Sequence, residues 1–239
     1  MKTPLSFALI ITVTLATGSC KSSQKAAATS HGYQDIFDGK SLRGWDYDST
    51  YWHVRDGVIV GEITPATIVK RNTFLIWRGG QPQDFELLVD YRVSALGNSG
   101  INYRSEDVPG LPCALKGYQA DIDGRNRYTG QNYEERGRKF LAYRGQRVRL
   151  ATGQPPQVLD SLGGGRVALA GRIKSGDWNQ LHLIVNGNHL QHYLNDVLMA
   201  DVTDDDAANR KMSGWLGVQV HVGPPMKIEY KNFRLKTLN

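Results

Sequence analysis

The chain has 239 residues, 40% of them hydrophobic, and carries 29 Lys and Arg against 23 Asp and Glu, a formal charge of +6. That excess is too small and too dispersed for a nucleic-acid stripe. Its densest stretch, residues 136–149, spreads Arg and Lys among Gly, Tyr and Leu and reads as a solvated face. Two cysteines, Cys20 and Cys113, exclude a disulfide framework, and Cys113 reads as a small packed residue.

Met1-Lys2, an apolar run over residues 5–17 and then Gly18-Ser19-Cys20 predict a lipoprotein-type signal peptide at 1–19, with Cys20 lipidated after cleavage. The run is too short to span a membrane. An ordinary signal peptide cut near Ser19 would leave Cys20 free. Residues 20–32 have no apolar period and read as a flexible tether, and 33–239 as one domain. The expected location is exported, periplasmic or on the outer membrane or cell surface, with membrane contact through the lipid anchor only.

From there on, short apolar runs bounded by Gly, Asn and Asp dominate, and no long stretch has a helical period. Ile36-Phe37 opens the fold, and Asp56-Gly57 joins Trp52-His53-Val54 to Val58-Ile59-Val60 in a hairpin. Strands follow at 74–77 and at 85–93, where Phe85, Leu87, Val89, Tyr91 and Val93 share a face, then at 100–104 and 118–122. Residues 124–165 read as long loops with one or two edge strands. Residues 177–201 form a three-strand meander. Its turns are Asn186-Gly187, suited to type I′, and Asn195-Asp196, which suits it less well. The first turn sets Val185 against Asn188, Leu183 against Leu190 and Leu181 against His192. A short helical turn at 204–211 and strands at 216–222 and 227–235 complete the chain. The fold class is all-β, a two-sheet antiparallel β-sandwich.

Several strands offer a polar face: Gln119, Asp121 and Asp123; Asn102 and Arg104; Gln219 and His221; and, in the meander, His189 and Gln191. Converging, they would line a groove holding a carboxylate, an Arg and a His. Against this, polar outward faces are the default of half-covered sheets, and Arg104 with Asp121 could equally be a structural ion pair. His192 falls on the apolar face as a hydrogen-bonded core histidine. His182 could equally be solvent-exposed or not, His53 reads as local structure, and His31 as part of the tether. Glu134 in YEERGR is a candidate acid or base. Ser99 has no visible His/Asp partners for nucleophilic work. No compact metal motif occurs, and a divalent site from His189, His221, Asp121 or Glu134 stays open, its metal unknown.

Six stretches in order carry a resemblance: IFDGKSLRGW (36–45), WHVRDGVIVG (52–61), DFELLVDYRV (84–93), GNSGINYRS (97–105), the GDWN…GNHLQHYLND meander and YKNFRL (230–235). Over residues 34–235 the chain resembles the bacterial 3-keto-disaccharide hydrolases. The resemblance implies a concanavalin A-like jelly roll that cleaves 3-keto-glycosides supplied by an upstream sugar 3-dehydrogenase, as hydrolase or as 1,2-lyase with later hydration. One departure stands out. The commonest family pattern Tyr-Glu-x-Gln-Ile is here Tyr118-Gln119-Ala120-Asp121-Ile122, with acid and amide exchanged on one face.

Oxidation at C3 acidifies the C2 proton, so the implied chemistry needs a base, a stabiliser of the enolate and an acid for the leaving oxygen. The resulting expectations are His189 or His221 as base and Glu134 or Asp121 as acid or metal ligand. Arg104, Asn102, Gln119, Gln191 and Gln219 would bind substrate, and no cofactor beyond a divalent metal is implied. The alternatives are a non-catalytic, lectin-like carbohydrate-binding module on a lipid anchor, and a surface interaction protein.

Overall fold

The computed structural model describes residues 32–238. The expected signal peptide, Cys20, His31 and all but the last residue of the expected tether lie outside the described residues. In chain order the strands are β1 (Gln34–Asp35), β2 (Trp45–Asp46), β3 (Trp52–Arg55), β4 (Val58–Ile63), β5 (Thr73–Trp77), β6 (Phe85–Val93), β7 (Asn98–Asp107), β8 (Leu115–Asp123) and β9 (Asn132–Glu135). They continue with β10 (Lys139–Ala142), β11 (Gln146–Leu150), β12 (Gln157–Ser161), a helix α1 (Gly165–Ala170), β13 (Asn179–Asn186), β14 (His189–Leu194), β15 (Val197–Asp204), β16 (Trp215–Val220) and β17 (Met226–Thr237).

Two sheets face each other. The larger runs β12-β11-β15-β14-β13-β6-β17-β4-β3 with β1 also on β17, and the smaller runs β10-β9-β8-β7-β16-β5-β2. All pairings are antiparallel except β11 with β15. The core lies between them. Phe85, Leu87, Val89 and Tyr91 alternate inward from β6, Leu181, Leu183 and Val185 from β13, and Tyr118, Ala120 and Ile122 come from β8 opposite. Each fully buried side chain of this kind contributes about 1.5–3 kcal/mol.

The hairpin at Asp56-Gly57 is as expected: both residues have positive φ, 51° and 77°, the pattern of a type I′ turn. The meander also forms, with the predicted faces, but one turn is displaced. Val185 pairs with Leu190, Leu183 with His192 and Leu181 with Leu194, so the loop is Gly187-Asn188. Only Gly187 has positive φ there, which fits a turn taking glycine first, whereas Asn195 and Asp196 are both positive, at 49° and 65°. The true type I′ pattern therefore belongs to the second turn.

His192 is fully buried, as its apolar face implied. Its Nδ1 lies 3.3 Å from the Gln131 carbonyl, which can only accept, and Nε2 lies 2.9 Å from the Tyr103 hydroxyl. The ring thus donates from Nδ1 and accepts at Nε2, and burial pushes its pKa down to about 4.

Residues 124–165 depart from expectation. They hold four strands, two ending each sheet, and α1 follows directly. Edge strands need no apolar alternation, and β12 is exposed at every position. Nor is the basic stretch uniformly solvated. Arg138 joins Glu134, Asp204 and Asp206 in ion pairs. Arg144 is buried and donates to the carbonyls of Arg166, Thr129 and Asn126. Residues 204–211 do include one helical turn, closed by Arg210 N–H on the Asp206 carbonyl.

Candidate functional site

The outer face of the smaller sheet is divided in two. Over β5, Phe74, Ile76 and Leu115 form a small apolar cluster with Trp215. On the β8–β9 side the face stays open as a groove of about 560 Å³. Alternation places Gln119 and Asp121 of β8 there, and the register sets Tyr133 of β9 opposite Gln119. His221, just beyond β16, lines it as well, with Asn98 and Asn72, while Gln219 of β16 is fully buried and reaches the groove only through its bond to Gln119. Glu135, Arg136, Phe140 and Tyr128 supply the wall toward the sheet edge.

Asp121 lies on the floor of this groove. It is 7% exposed and accepts hydrogen bonds from Gln119 Nε2 at 2.6 Å and from Gln131 Nε2. Burial raises its pKa to about 7, opposed by the two amides and reinforced by the charges of Glu135 and Asp123. Gln219 Nε2 donates to Gln119 Oε1 at 3.2 Å and reaches Glu135 at 3.5 Å. Asn72 donates to Glu135 and accepts from the backbone N–H of Val222. At the rim, His221 Nδ1 sits 2.6 Å from the Val222 carbonyl. That acceptor requires a proton on Nδ1, so in the neutral ring Nε2 carries the free lone pair. A smaller notch of about 210 Å³ adjoins the groove, sharing Asn98, Tyr128 and His221 and adding Asp123, Arg125 and Arg127.

Of the side chains singled out from the sequence, the structure brings together Asp121, Gln119, Gln219 and His221. The others do not join them. His189 lies on the outer face of the larger sheet, 2.6 Å from Asp201, and Gln191 shares that face. The single groove expected from all the polar faces is thus split between opposite sides of the sandwich. Asn102 points to the correct side but is sealed, 0% exposed, with neither amide atom hydrogen-bonded.

Arg104 leaves the face altogether. Its φ is +44°, and the β7–β8 register shifts between Tyr103 and Glu106, so strict alternation fails there. Its guanidinium binds Asp84 at 2.9 Å and the carbonyls of Gln83, Gly187 and Lys211, with no contact to Asp121. Glu134 faces Arg138 at 2.6 Å, and its neighbour Glu135 faces the groove. Sequence reasoning missed Glu135, Gln131, Tyr133, Tyr128 and Phe140. Reading NYEE as a strand would have put Tyr133 and Glu135 on one face.

These side chains do not fit a divalent-metal site. Among the described residues no three His, Cys, Asp or Glu side chains gather into a metal-holding group. Both carboxylate oxygens of Asp121 already accept amide N–H groups, an arrangement that stabilises an anion in place of a cation.

Residues 32–236 match the family described as the 3-keto-alpha-glucoside-1,2-lyase-like domain. No curated protein sequence matches the chain. Solved structures with a similar fold include a candidate glycosyl hydrolase from Parabacteroides distasonis ATCC 8503, 22% identical with TM-score 0.55 over 87% of this chain and 95% of that one. The carbohydrate-binding module CBM66 from Bacillus subtilis is 15% identical with TM-score 0.53, over 81% and 96% of the two chains. A Bacillus subtilis protein of unknown function with a galectin-like fold is 11% identical with TM-score 0.56, over 82% and 90%.

Proposed function

The chain belongs to the 3-keto-alpha-glucoside-1,2-lyase-like family, and on that premise we propose that its groove cleaves 3-keto-glycosides by elimination. The observation that carries this reading is Asp121: a carboxylate on the groove floor, oriented by two amides, with a pKa of about 7. A base poised near neutrality is what removal of a proton next to a ketone requires. Asp121 takes the C2 proton, and the C–H electron pair delocalises onto the C3 oxygen as an enolate. Arg136, on the groove wall, is the cation available to that oxygen. The pair then forms the C1=C2 bond as C1–O breaks, and the leaving oxygen takes a proton from Nε2 of His221 in its imidazolium form, Nδ1–H staying on the Val222 carbonyl. The products are a 1,2-unsaturated 3-ketone and the free aglycone. Addition of water across the new double bond would give the 3-keto sugar.

The test is aglycone release from 4-nitrophenyl 3-keto-glucoside with the unoxidised glucoside as control. Release from the keto compound alone, lost in Asp121→Asn, supports the reading; release from neither overturns it. The exposed rings Tyr128 and Phe140 in the same groove favour a second reading, a non-catalytic carbohydrate-binding module. Sugar binding with no turnover of either anomer would establish that alternative. In either case we propose export with a lipid anchor at Cys20; under the first reading a sugar 3-dehydrogenase supplies the substrate. Incorporation of an alkyne-tagged fatty acid, absent in Cys20→Ala, checks the anchor.

A further inference from the structure

The notch of about 210 Å³ beside the groove has a cationic lining. Arg125 and Arg127 both border it, and among the described residues neither guanidinium has a hydrogen bond or an ion pair. The arginines of the neighbouring segments differ: Arg138, Arg144, Arg147 and Arg149 all have partners. The side-chain amide of Asn98, at the junction of notch and groove, is likewise unpaired, and Nε2 of His221 is open there too.

The two arginines have free ends on a fixed backbone. The Asp123 carboxylate accepts the Arg127 N–H at 2.8 Å, and the Arg127 carbonyl accepts from Arg166 at 2.6 Å. Between them, Arg144 holds the Asn126 carbonyl at 3.1 Å. A loop pinned in this way presents both guanidinium groups without a backbone ordering cost on binding. Asp123 supplies the carboxylate of the lining, but it is 5% exposed and turned to that N–H, so the charge open to a ligand is positive. His221 fixes where the notch lies along a substrate. It lines both spaces, and under the elimination reading it protonates the leaving oxygen, so what lies beyond it on the notch side is the leaving group.

We propose that the notch is a subsite for an oxyanion carried by the leaving group, a carboxylate or a sulfate ester, so that the substrates are 3-keto-glycosides of an acidic sugar unit. The leaving-group side rests on the elimination reading; the anion rests on the notch alone. Arg125 and Arg127 offer forked N–H donors to the oxyanion, and Asn98 adds its amide. A neutral hydroxymethyl group in the same place leaves both forks to water.

Titration calorimetry on unoxidised disaccharides reads the notch without turnover. The probes are cellobiose, its analogue with a carboxylate at C6 of the reducing unit, the analogue sulfated at that position, and one with the carboxylate on the non-reducing unit. One or both of the reducing-unit anions should bind about tenfold more tightly than cellobiose, a preference that shrinks as salt is added. The stronger of the two names the source of the oxyanion. Arg125→Gln/Arg127→Gln should abolish the preference and leave cellobiose affinity unchanged, whereas Arg125→Lys/Arg127→Lys should retain part of it. Equal affinity for neutral and anionic probes overturns the proposal, as does a preference that survives Arg125→Gln/Arg127→Gln. A preference only for the acid on the non-reducing unit overturns the leaving-group assignment. Release assays on the matching 3-keto compounds then read the acid-to-neutral ratio of kcat/KM, expected to fall about tenfold in Arg125→Gln/Arg127→Gln. No release from any keto compound refutes the elimination reading, and the binding data still decide the anion site.

Discussion

Arg104 and Asp84 grip the same residue from opposite ends. Asp84 Oδ1 accepts the Gly187 N–H at 2.9 Å and Arg104 Nη2 at 2.9 Å, while Arg104 Nη1 donates to the Gly187 carbonyl at 2.7 Å. The first turn of the meander is thereby tied to β7 and to the residue before β6. Arg104→Ala leaves those acceptors without their donor; Asp84 is a third exposed and keeps the Gly187 N–H, so the cost is that of the lost charge-assisted bonds, about 1–3 kcal/mol. Chemical denaturation should show that loss. Lys in its place supplies one point donor for a planar fork and is expected to recover less than half of it.

Asp121 sets the pH dependence of turnover. As a base it must be ionised, so the acidic limb of kcat/KM on a 3-keto-glycoside should climb through about pH 7. Stability runs the other way. The folded-state pKa exceeds the unfolded value near 4, so Asp121 favours the fold at low pH, and that contribution disappears as pH rises through about 7. Asp121→Asn should therefore abolish turnover yet stabilise the protein at pH 8, by about 1–2 kcal/mol. The full pKa shift is worth more, but an asparagine can accept only one of the two amide bonds.

Gly100 is the floor beneath Gln119. A Cβ there would come within 2.6 Å of Gln119 Cγ and Nε2. Gly100→Ala should displace that side chain and strip Asp121 of one bond that lowers its pKa. The acidic limb of the pH–rate profile then moves to higher pH with the fold intact, which paired rate and melting curves will show.

His192 gives a second pH signature, of opposite sense. Its folded pKa of about 4 lies below the unfolded value near 6.5. Stability is complete above pH 6.5 and falls as pH drops toward 4, by about 3 kcal/mol at most. His192→Gln should flatten this slope, measured as denaturation midpoints between pH 4 and 7.

Much of this was legible from residue types. Strict alternation in FELLVDYRV and in the meander set the core face, and the same rule put Gln119 and Asp121 together on a polar one. It failed where the backbone broke its own period. A left-handed Arg104 redirects a side chain that counting assigns to Asn102's face. At YEERGR the choice between Glu134 and Glu135 depends on a register that only the pairing of β9 with β8 settles. His189 and Gln191 show the other limit: a polar face is visible in a strand, but which sheet it belongs to is not.

The proton acceptor and the ring wall sit on different tiers of the smaller sheet. Asp121 rides on β8, the third strand in from the edge, while Tyr133 and Phe140 come from β9 and β10, beyond which no further strand pairs among the described residues. A border of this kind can be exchanged without disturbing the layers beneath. Exchanging β10 alone, Lys139–Ala142, should therefore alter ligand preference through Phe140 while Asp121, Gln131 and Arg136 stay where they are, which makes that strand the natural cassette for redesign.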